Sequence, residues 1–244
     1  MTSPQPRRPA AYVERALCVL AHPDDVDFGS AGTVATWTAD GTEVTYLIVT
    51  DGDAGGFDDT PRHQMGPLRR AEQEAAAKAV GVSDVRFLGH PDGRLELTLD
   101  LRRDISRVIR QVRPQRVLTS SPERMWDRIG ASHPDHMTVG ESTLRAVYPD
   151  ARNPFAFPEL LADEGLEAWT VSEVWLTASP RADHVVDVTD VVELKFAALK
   201  SHVSQVGHLD DLEAFVTDWM RQNGRRLGLP AGRLGETFQV VHTA

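Results

Sequence analysis

The sequence predicts an α/β fold, a mostly parallel sheet with helices on both faces. Short apolar runs recur through the first half of the chain, at 16–21, 43–50, 85–88 and 116–119. Each leads into a longer stretch of helical character, at 28–40, 67–80, 99–112 and 134–147. Strand–helix alternation of this kind builds parallel sheets with right-handed crossovers. No internal repeat and no linker divides the 244 residues, so one domain over 15–244 is expected.

Taken in order, the first strand runs to Ala21. It delivers His22-Pro23-Asp24-Asp25 to the sheet edge, because Pro23 lacks the donor that would continue the ladder. Phe28 to Asp40 reads as a helix stopped by Gly41. Its Val34, Ala35 and Trp37 are core residues. The second strand, Glu43 to Thr50, ends in Asp51-Gly52-Asp53-Ala54-Gly55-Gly56. That loop carries neither G-x-G-x-x-G nor a Walker lysine and is acidic, so it reads as a pocket wall, not a phosphate cradle. Asp51 and Asp53 serve as supports of the site or as turn formers. Residues 57–66 read as a surface loop with His63 exposed.

Pro67 to Val80 reads as a helix with Arg69 in its first turn, where a cation opposes the helix dipole. That conflict points to a second purpose, such as holding a substrate oxygen; a solvated arginine is the competing reading. The third strand ends at His90-Pro91-Asp92-Gly93, and Asp92 is a further candidate. Pro114 follows the helix over 99–112. After the fourth strand, the loop 120–131 carries Met125 and Trp126. Ser132 or His133 then caps a helix with Pro134 in its first turn. Residues 148–170, rich in proline and aromatics, read as a loop or short helix over the site. Strands at 172–178 and 184–188, helices at 190–203 and 210–227, and a strand at 235–242 complete a Rossmann-like arrangement. Trp219 and Met220 fall on the apolar side of the last helix, and His184 faces the pocket or solvent.

The chemistry concentrates in two clusters. His22 and Asp25 offer one nitrogen and one oxygen ligand. A catalytic zinc takes three protein ligands and keeps a position for water. The third is best sought in His133-Pro134-Asp135-His136, with His136 projecting from a helix opening. Both clusters follow strands at the carboxyl edge, where open α/β sheets bind ligands. Asp24 is then free to take a proton from the water that the metal acidifies. His133 is free to hydrogen-bond a developing oxyanion or to protonate a leaving group. Each cluster alone also fits an ordinary strand-to-helix turn; two in one chain point to hydrolysis. Cys18, inside a strand, is a poor ligand candidate.

Composition bounds the partners. Apolar residues make up 41% and charged residues 25%, ordinary for a globular protein. A formal charge of −10 argues against nucleic acid or anionic membrane as a partner. No apolar run reaches the roughly 18 residues of a spanning helix, so no stable membrane anchor is expected. One cysteine cannot form an internal disulfide, which makes the cytoplasm the simplest compartment. Residues 1–14 read as a flexible arm without the apolar core of a secretory signal.

Ala21-His22-Pro23-Asp24-Asp25 together with His133-Pro134-Asp135-His136 resembles the PIG-L/LmbE family of zinc-dependent N-deacetylases. That family includes the N-acetylglucosaminyl-phosphatidylinositol, mycothiol-pathway and bacillithiol-pathway deacetylases. Thr50-Asp51-Gly52, Arg69-Arg70-Ala71-Glu72, Leu88 to Gly93 and Lys195 to Gln205 also fit it, so the resemblance covers roughly residues 15–206. It implies zinc on His22, Asp25 and His136, with Asp24 as general base and His133 as electrostatic partner or acid. It makes Arg69 and Asp92 substrate-binding or supporting residues. The implied substrate is a small N-acylated molecule, an N-acetylated amino sugar in the first instance. Some relatives place a carbonyl-polarising tyrosine where this chain has Ala131. His202 and Gln205 match the family without an assignable role. Homo-oligomerisation is left open, since no stretch marks an interface.

Two other readings compete. Two histidines and a carboxylate also bind ferrous iron in non-haem enzymes, but the α/β pattern and the adjacent Asp24 speak against that chemistry. A non-catalytic Rossmann-like binding protein would leave the His/Asp clusters without a task.

Overall fold

The computed structural model describes residues 13–243. Of the arm expected over 1–14, residues 1–12 lie outside the described residues. A seven-stranded sheet has the order β3-β2-β1-β4-β5-β7-β6. Its strands are β1 (Arg15–Leu20), β2 (Glu43–Thr50), β3 (Asp84–His90), β4 (Arg116–Ser120), β5 (Glu173–Thr177), β6 (His184–Asp187) and β7 (Gly235–His242). The first five pair in parallel, and β7 lies antiparallel between β5 and β6. The mostly parallel sheet of the sequence reading is therefore present, closed on one edge by an antiparallel pair.

Both faces of β1 are buried, and its alternation separates two cores. Ala16, Cys18 and Leu20 pack with Val34, Ala35 and Trp37 of helix α1 (Asp25–Ala39) and with Ala76 and Ala77 of α2 (Arg62–Ala79). Leu17, Val19 and Ala21 pack with Leu101, Ile105 and Ile109 of α3 (Leu99–Val112) and Val139 of α4 (Pro134–Arg145). Each of these large aliphatic side chains removed from water contributes about 1.5–3 kcal/mol. The one-turn α5 (Glu159–Ala162) follows, then α6 (Val192–Ser201), the one-turn α7 (Val203–Val206) and α8 (Leu212–Arg226). Phe196 and Leu199 of α6 meet Val216 and Met220 of α8 in a third cluster.

Strand order reverses at β1. The chain steps outward through β2 and β3, then returns to place β4 on the other side of β1. A crevice opens at such a switch point, beyond the carboxyl ends of the strands. His22 leaves β1 there, and α4 begins there after β4.

Two expectations are corrected. Helix α2 starts at Arg62, not Pro67, because Met65 is buried and anchors an extra turn. The donor that Pro67 lacks is missing opposite the carbonyl of the exposed His63. Residues 148–170 do not cover the site. They pack along α3, whose Arg110 guanidinium donates to the carbonyls of Asp150, Ala151, Asn153 and Ala156 at 2.9–3.2 Å. Trp169 Nε1 donates to Pro114 O at 2.7 Å.

Candidate active site

Helix α1 begins three residues earlier than its apolar pattern predicts, so Asp25 lies in its first turn, where a carboxylate suits the helix dipole. One Asp25 oxygen turns back to accept the His22 N–H at 2.8 Å. The residue between, Asp24, holds a left-handed conformation, φ 96° and ψ −24°. That conformation is costly for a residue with a Cβ, and side chains from α2 secure it. Gln73 Oε1 accepts the Asp24 N–H at 2.8 Å. Arg69 donates to Asp24 Oδ2 at 3.0 Å, to Pro23 O at 2.5 Å and to Gly52 O at 2.9 Å.

The distant histidines arrive on α4. His133 is its N-cap, and its Nδ1 accepts the Asp135 N–H at 3.2 Å, as the cap reading of the sequence expected. His136 Nε2 lies 3.2 Å from His22 Nδ1 and 3.0 Å from Asp25 Oδ1. Asp25 Oδ2 lies 3.5 Å from His22 Nδ1. The His133 ring meets those of His22 and His136 at centroid distances of 5.0 and 5.2 Å. Residues separated by 114 positions thus converge on one point. Two groups with ligating atoms within 4.8 Å of one another stand among the described residues, His22/His133/His136 and His22/Asp92/Asp135.

Behind His22 stand two carboxylates. Its Nε2 lies 3.0 Å from Asp92 Oδ1 and 3.3 Å from Asp135 Oδ2. Asp135 is itself committed, accepting the N–H groups of Gly93 at 2.7 Å and Leu95 at 3.3 Å. Asp92 accepts the Ala54 N–H at 3.2 Å, and its own N–H donates to Asp53 at 2.9 Å. The loops after β2 and β3 are thereby fixed against α4.

These contacts set the charges. Burial opposes a charged His22, but Asp25, Asp135 and Asp92 outweigh it and push the ring up to about 12. Burial likewise works against an ionised Asp25, and the His136 and His22 rings still hold its carboxyl well below the usual carboxylate range. Burial pushes the Asp24 carboxyl up to about 6 against the pull of Arg69. His133 is held below the ordinary histidine range by burial and then by the neighbouring rings. A neutral His133 whose Nδ1 accepts a hydrogen bond carries its proton on Nε2.

The sequence candidates therefore separate. His22, Asp24, Asp25, His133 and His136 come together. Arg69 and Asp92 join them from behind. Neither lines the adjoining cavity of about 530 Å³, which Asp25 and His136 do line. Arg69 is 4% exposed and sits two turns into α2, so the dipole conflict inferred for it does not arise. Asp51 pairs with Arg70 and Asp53 with Arg62. His184 does not line the cavity; its ring meets Trp175 edge-on at 4.7 Å. Ala131, Met125, Trp219 and Met220 are wall residues, whereas Trp126 is 79% exposed.

Sequence reasoning missed a buried chain behind Asp24. Gln73 Nε2 donates to Asp27 Oδ2 at 2.8 Å, and His202 Nε2 lies 2.8 Å from the same oxygen. His202 had been noticed in the sequence without a role; Gln73 and Asp27 carried no local signal. Deeper still, Lys195 Nζ binds Glu236 at 2.7 Å and the carbonyls of Asp27 and Phe28 at 2.9 and 2.7 Å.

Comparison with known proteins places the chain in a family. The PIG-L family, described as GlcNAc-PI de-N-acetylase, matches residues 17–147. A diacetylchitobiose deacetylase of Thermococcus kodakarensis is 32% identical over 194 residues, 79% of this chain and 70% of that protein. A Bacillus subtilis protein named "Probable N-acetyl-alpha-D-glucosaminyl L-malate deacetylase 2" is 30% identical over 207 residues, 82% of this chain and 87% of that protein. The N,N'-diacetylchitobiose deacetylase of Pyrococcus horikoshii superposes with a TM-score of 0.85 at 30% identity, covering 94% of this chain and 84% of that one. With a family match over 17–147 and relatives of this similarity, the chain belongs to the PIG-L family.

Proposed function

We propose that this chain is a metal-dependent N-deacetylase that hydrolyses the N-acetyl amide of an amino sugar, with the metal on His22, Asp25 and His136. The observation that carries the reading is the spacing of those three groups. Their ligating atoms stand 3.0–3.5 Å apart, and ligands 2.0–2.1 Å from a tetrahedral zinc stand about 3.4 Å apart. The donor chemistry fits too. The Nε2–H of His22 donates to Asp92 and Asp135, so Nδ1 is the nitrogen that faces inward and would exchange its proton for a metal, an arrangement that orients metal-bound histidines. His133 is less suited as a ligand, since its Nδ1 accepts the helix-cap hydrogen bond and its Nε2 then carries the proton. Two nitrogens and one carboxylate oxygen favour zinc, and the same set accepts ferrous iron.

A metal held there supplies Lewis-acid polarisation of the amide carbonyl and lowers the pKa of water to about 7. The remaining work falls to the chain. Arg69 fixes Asp24 Oδ2, which leaves Oδ1 to take the proton of the attacking water. Asp24 then returns that proton to the amine nitrogen as the C–N bond breaks, giving acetate and a free amine. The His133 Nε2–H donates to the oxygen as it gains charge. Arg69 and Asp92 position Asp24 and His22 in this account and do not contact substrate.

The N-acetyl sugar as substrate rests on the relatives' names, which describe deacetylases of diacetylchitobiose and of N-acetylglucosaminyl L-malate. Among the described residues no helix is long and apolar enough to cross a membrane. The test is release of free amine from N-acetylglucosamine conjugates by zinc-loaded protein, with and without chelator. Chelator-sensitive release is expected. A metal-loaded protein inert on every N-acetyl sugar, or fully active after chelation, contradicts the reading.

A further inference from the structure

The cavity beyond Asp25 and His136 has a feature that amide hydrolysis does not use. Helix α8 presents Trp219, Asn223 and Arg226 along one stripe, four and seven residues apart from the first, and all three line the cavity. Arg128, from the 3-10 segment before α4, lines it as well. The Arg128 guanidinium lies over the Trp219 ring, 4.8 Å from its centroid. Both arginines are exposed residues of the same cavity wall. Partial desolvation of its guanidinium and then the charge of Arg226 hold Arg128 below the ordinary arginine range.

Neither arginine has a carboxylate partner among the described residues, although other arginines of the chain pair readily, as Arg181 does with Glu123. The carboxylates in the cavity wall are already committed. Asp25 faces His22 and His136. Glu236 is held by Lys195 at 2.7 Å and by the N–H groups of Gly32 at 3.1 Å and Thr33 at 2.7 Å. Acidic residues outnumber basic ones 36 to 26, so counter-ions for these two positions were not scarce. Two like charges set together without one are unfavourable until an anion joins them. Planar guanidinium forks match carboxylate and phosphate oxygens, and stacking on Trp219 holds the Arg128 fork in place before anything binds.

We propose that Arg128 and Arg226 form an anion subsite, selecting N-acetylated sugars that carry a carboxylate or phosphate group away from the amide. The inference rests on the deacetylase reading for the identity of the sugar, and the subsite accounts for a substrate larger than a single neutral ring. Tests use metal-loaded full-length protein and three probes. Methyl N-acetylglucosaminide is neutral, N-acetylglucosaminyl L-malate carries carboxylates, and N-acetylglucosamine 6-phosphate carries a phosphate. Dissociation constants are read by calorimetry and kcat/KM by amine release.

At least one anionic probe should bind about tenfold more tightly than the neutral one, with an advantage that shrinks as salt is raised. The two anionic probes decide between carboxylate and phosphate. R128Q and R226Q should each remove much of that preference, and R226E should reverse it, with thermal unfolding confirming that the variants fold. Equal binding of all three probes by the wild-type protein overturns the subsite. So does an equal weakening of all three in the variants. Binding is read separately from turnover, so loss of the deacetylase reading would show as no amine released, while the ratio of dissociation constants still decides the subsite.

Discussion

Replacing Gln73 by leucine should disable the base while leaving the metal ligands in place. Gln73 is fully buried. It accepts the Asp24 N–H and donates to Asp27, both at 2.8 Å. Gln73→Leu keeps the volume and deletes both bonds. Asp24 then has a buried N–H without a partner, at a cost of about 1–3 kcal/mol. It also sits in a left-handed conformation, φ 96°, which disfavours a non-glycine residue by about 1–2 kcal/mol. The variant escapes both costs when Asp24 swings out of that conformation and its carboxyl leaves its station. At about 1.4 kcal/mol per factor of ten, kcat should fall about 10- to 100-fold. The same loss should lower Tm by about 2–4 °C per kcal/mol at this chain length. The assay is steady-state amine release with metal content and Tm measured on the same sample. A lowered Tm with kcat within about twofold of wild type would refute the reasoning, because Gln73 would then support only the fold.

Other outcomes follow from the same geometry. Asp24→Asn should retain metal and lose about 10²- to 10⁴-fold in kcat; substantial activity in a metal-replete variant removes Asp24 as base. Asp92→Ala should weaken metal affinity about 10- to 100-fold by freeing the His22 ring, read by competition with a chromophoric chelator; unchanged affinity contradicts its supporting role. Asp24 must be ionised to act. Burial pushes its carboxyl up to about 6, and a bound cation pulls it down again. The acid limb of kcat/KM should therefore lie at or below about 6, with activity lost as pH falls; a limb above about 7 assigns the base elsewhere. Lys195→Met strands the buried Glu236 carboxylate and should cost about 3–5 kcal/mol in urea unfolding. A loss under about 1 kcal/mol would mean that the Gly32 and Thr33 N–H groups suffice.

What the sequence made legible was local. The bounds of β2, α3 and β7 follow from period and punctuation, and they fall where the strand runs and Pro114 put them. His22, Asp25 and His136 were legible because each lies within two residues of a proline in a dense His/Asp cluster, and both clusters follow strands whose carboxyl ends meet at the switch in strand order. The supports of the site were not. Gln73 reaches Asp24 across 49 positions and His202 reaches Asp27 across 175. Nothing in the periodicity of either helix marks which polar residue on a buried face finds which partner. Arg69 shows the cost of a local argument applied to a long-range contact. Its charge looked misplaced in a first turn, but the helix begins at Arg62 and its partners are Pro23, Asp24 and Gly52. Asp135 suits the first turn of α4 as a carboxylate at a helix N-terminus, and that position also brings it to the back of His22.

The central claim is the metal position, and anomalous diffraction from a zinc-loaded crystal tests it most directly. The account predicts one peak bounded by His22 Nδ1, an Asp25 carboxylate oxygen and His136 Nε2, at about 2.0–2.2 Å from each. A peak on the other side of the His22 ring, between Asp92 and Asp135, would contradict it. So would the absence of any peak from protein that binds zinc in solution.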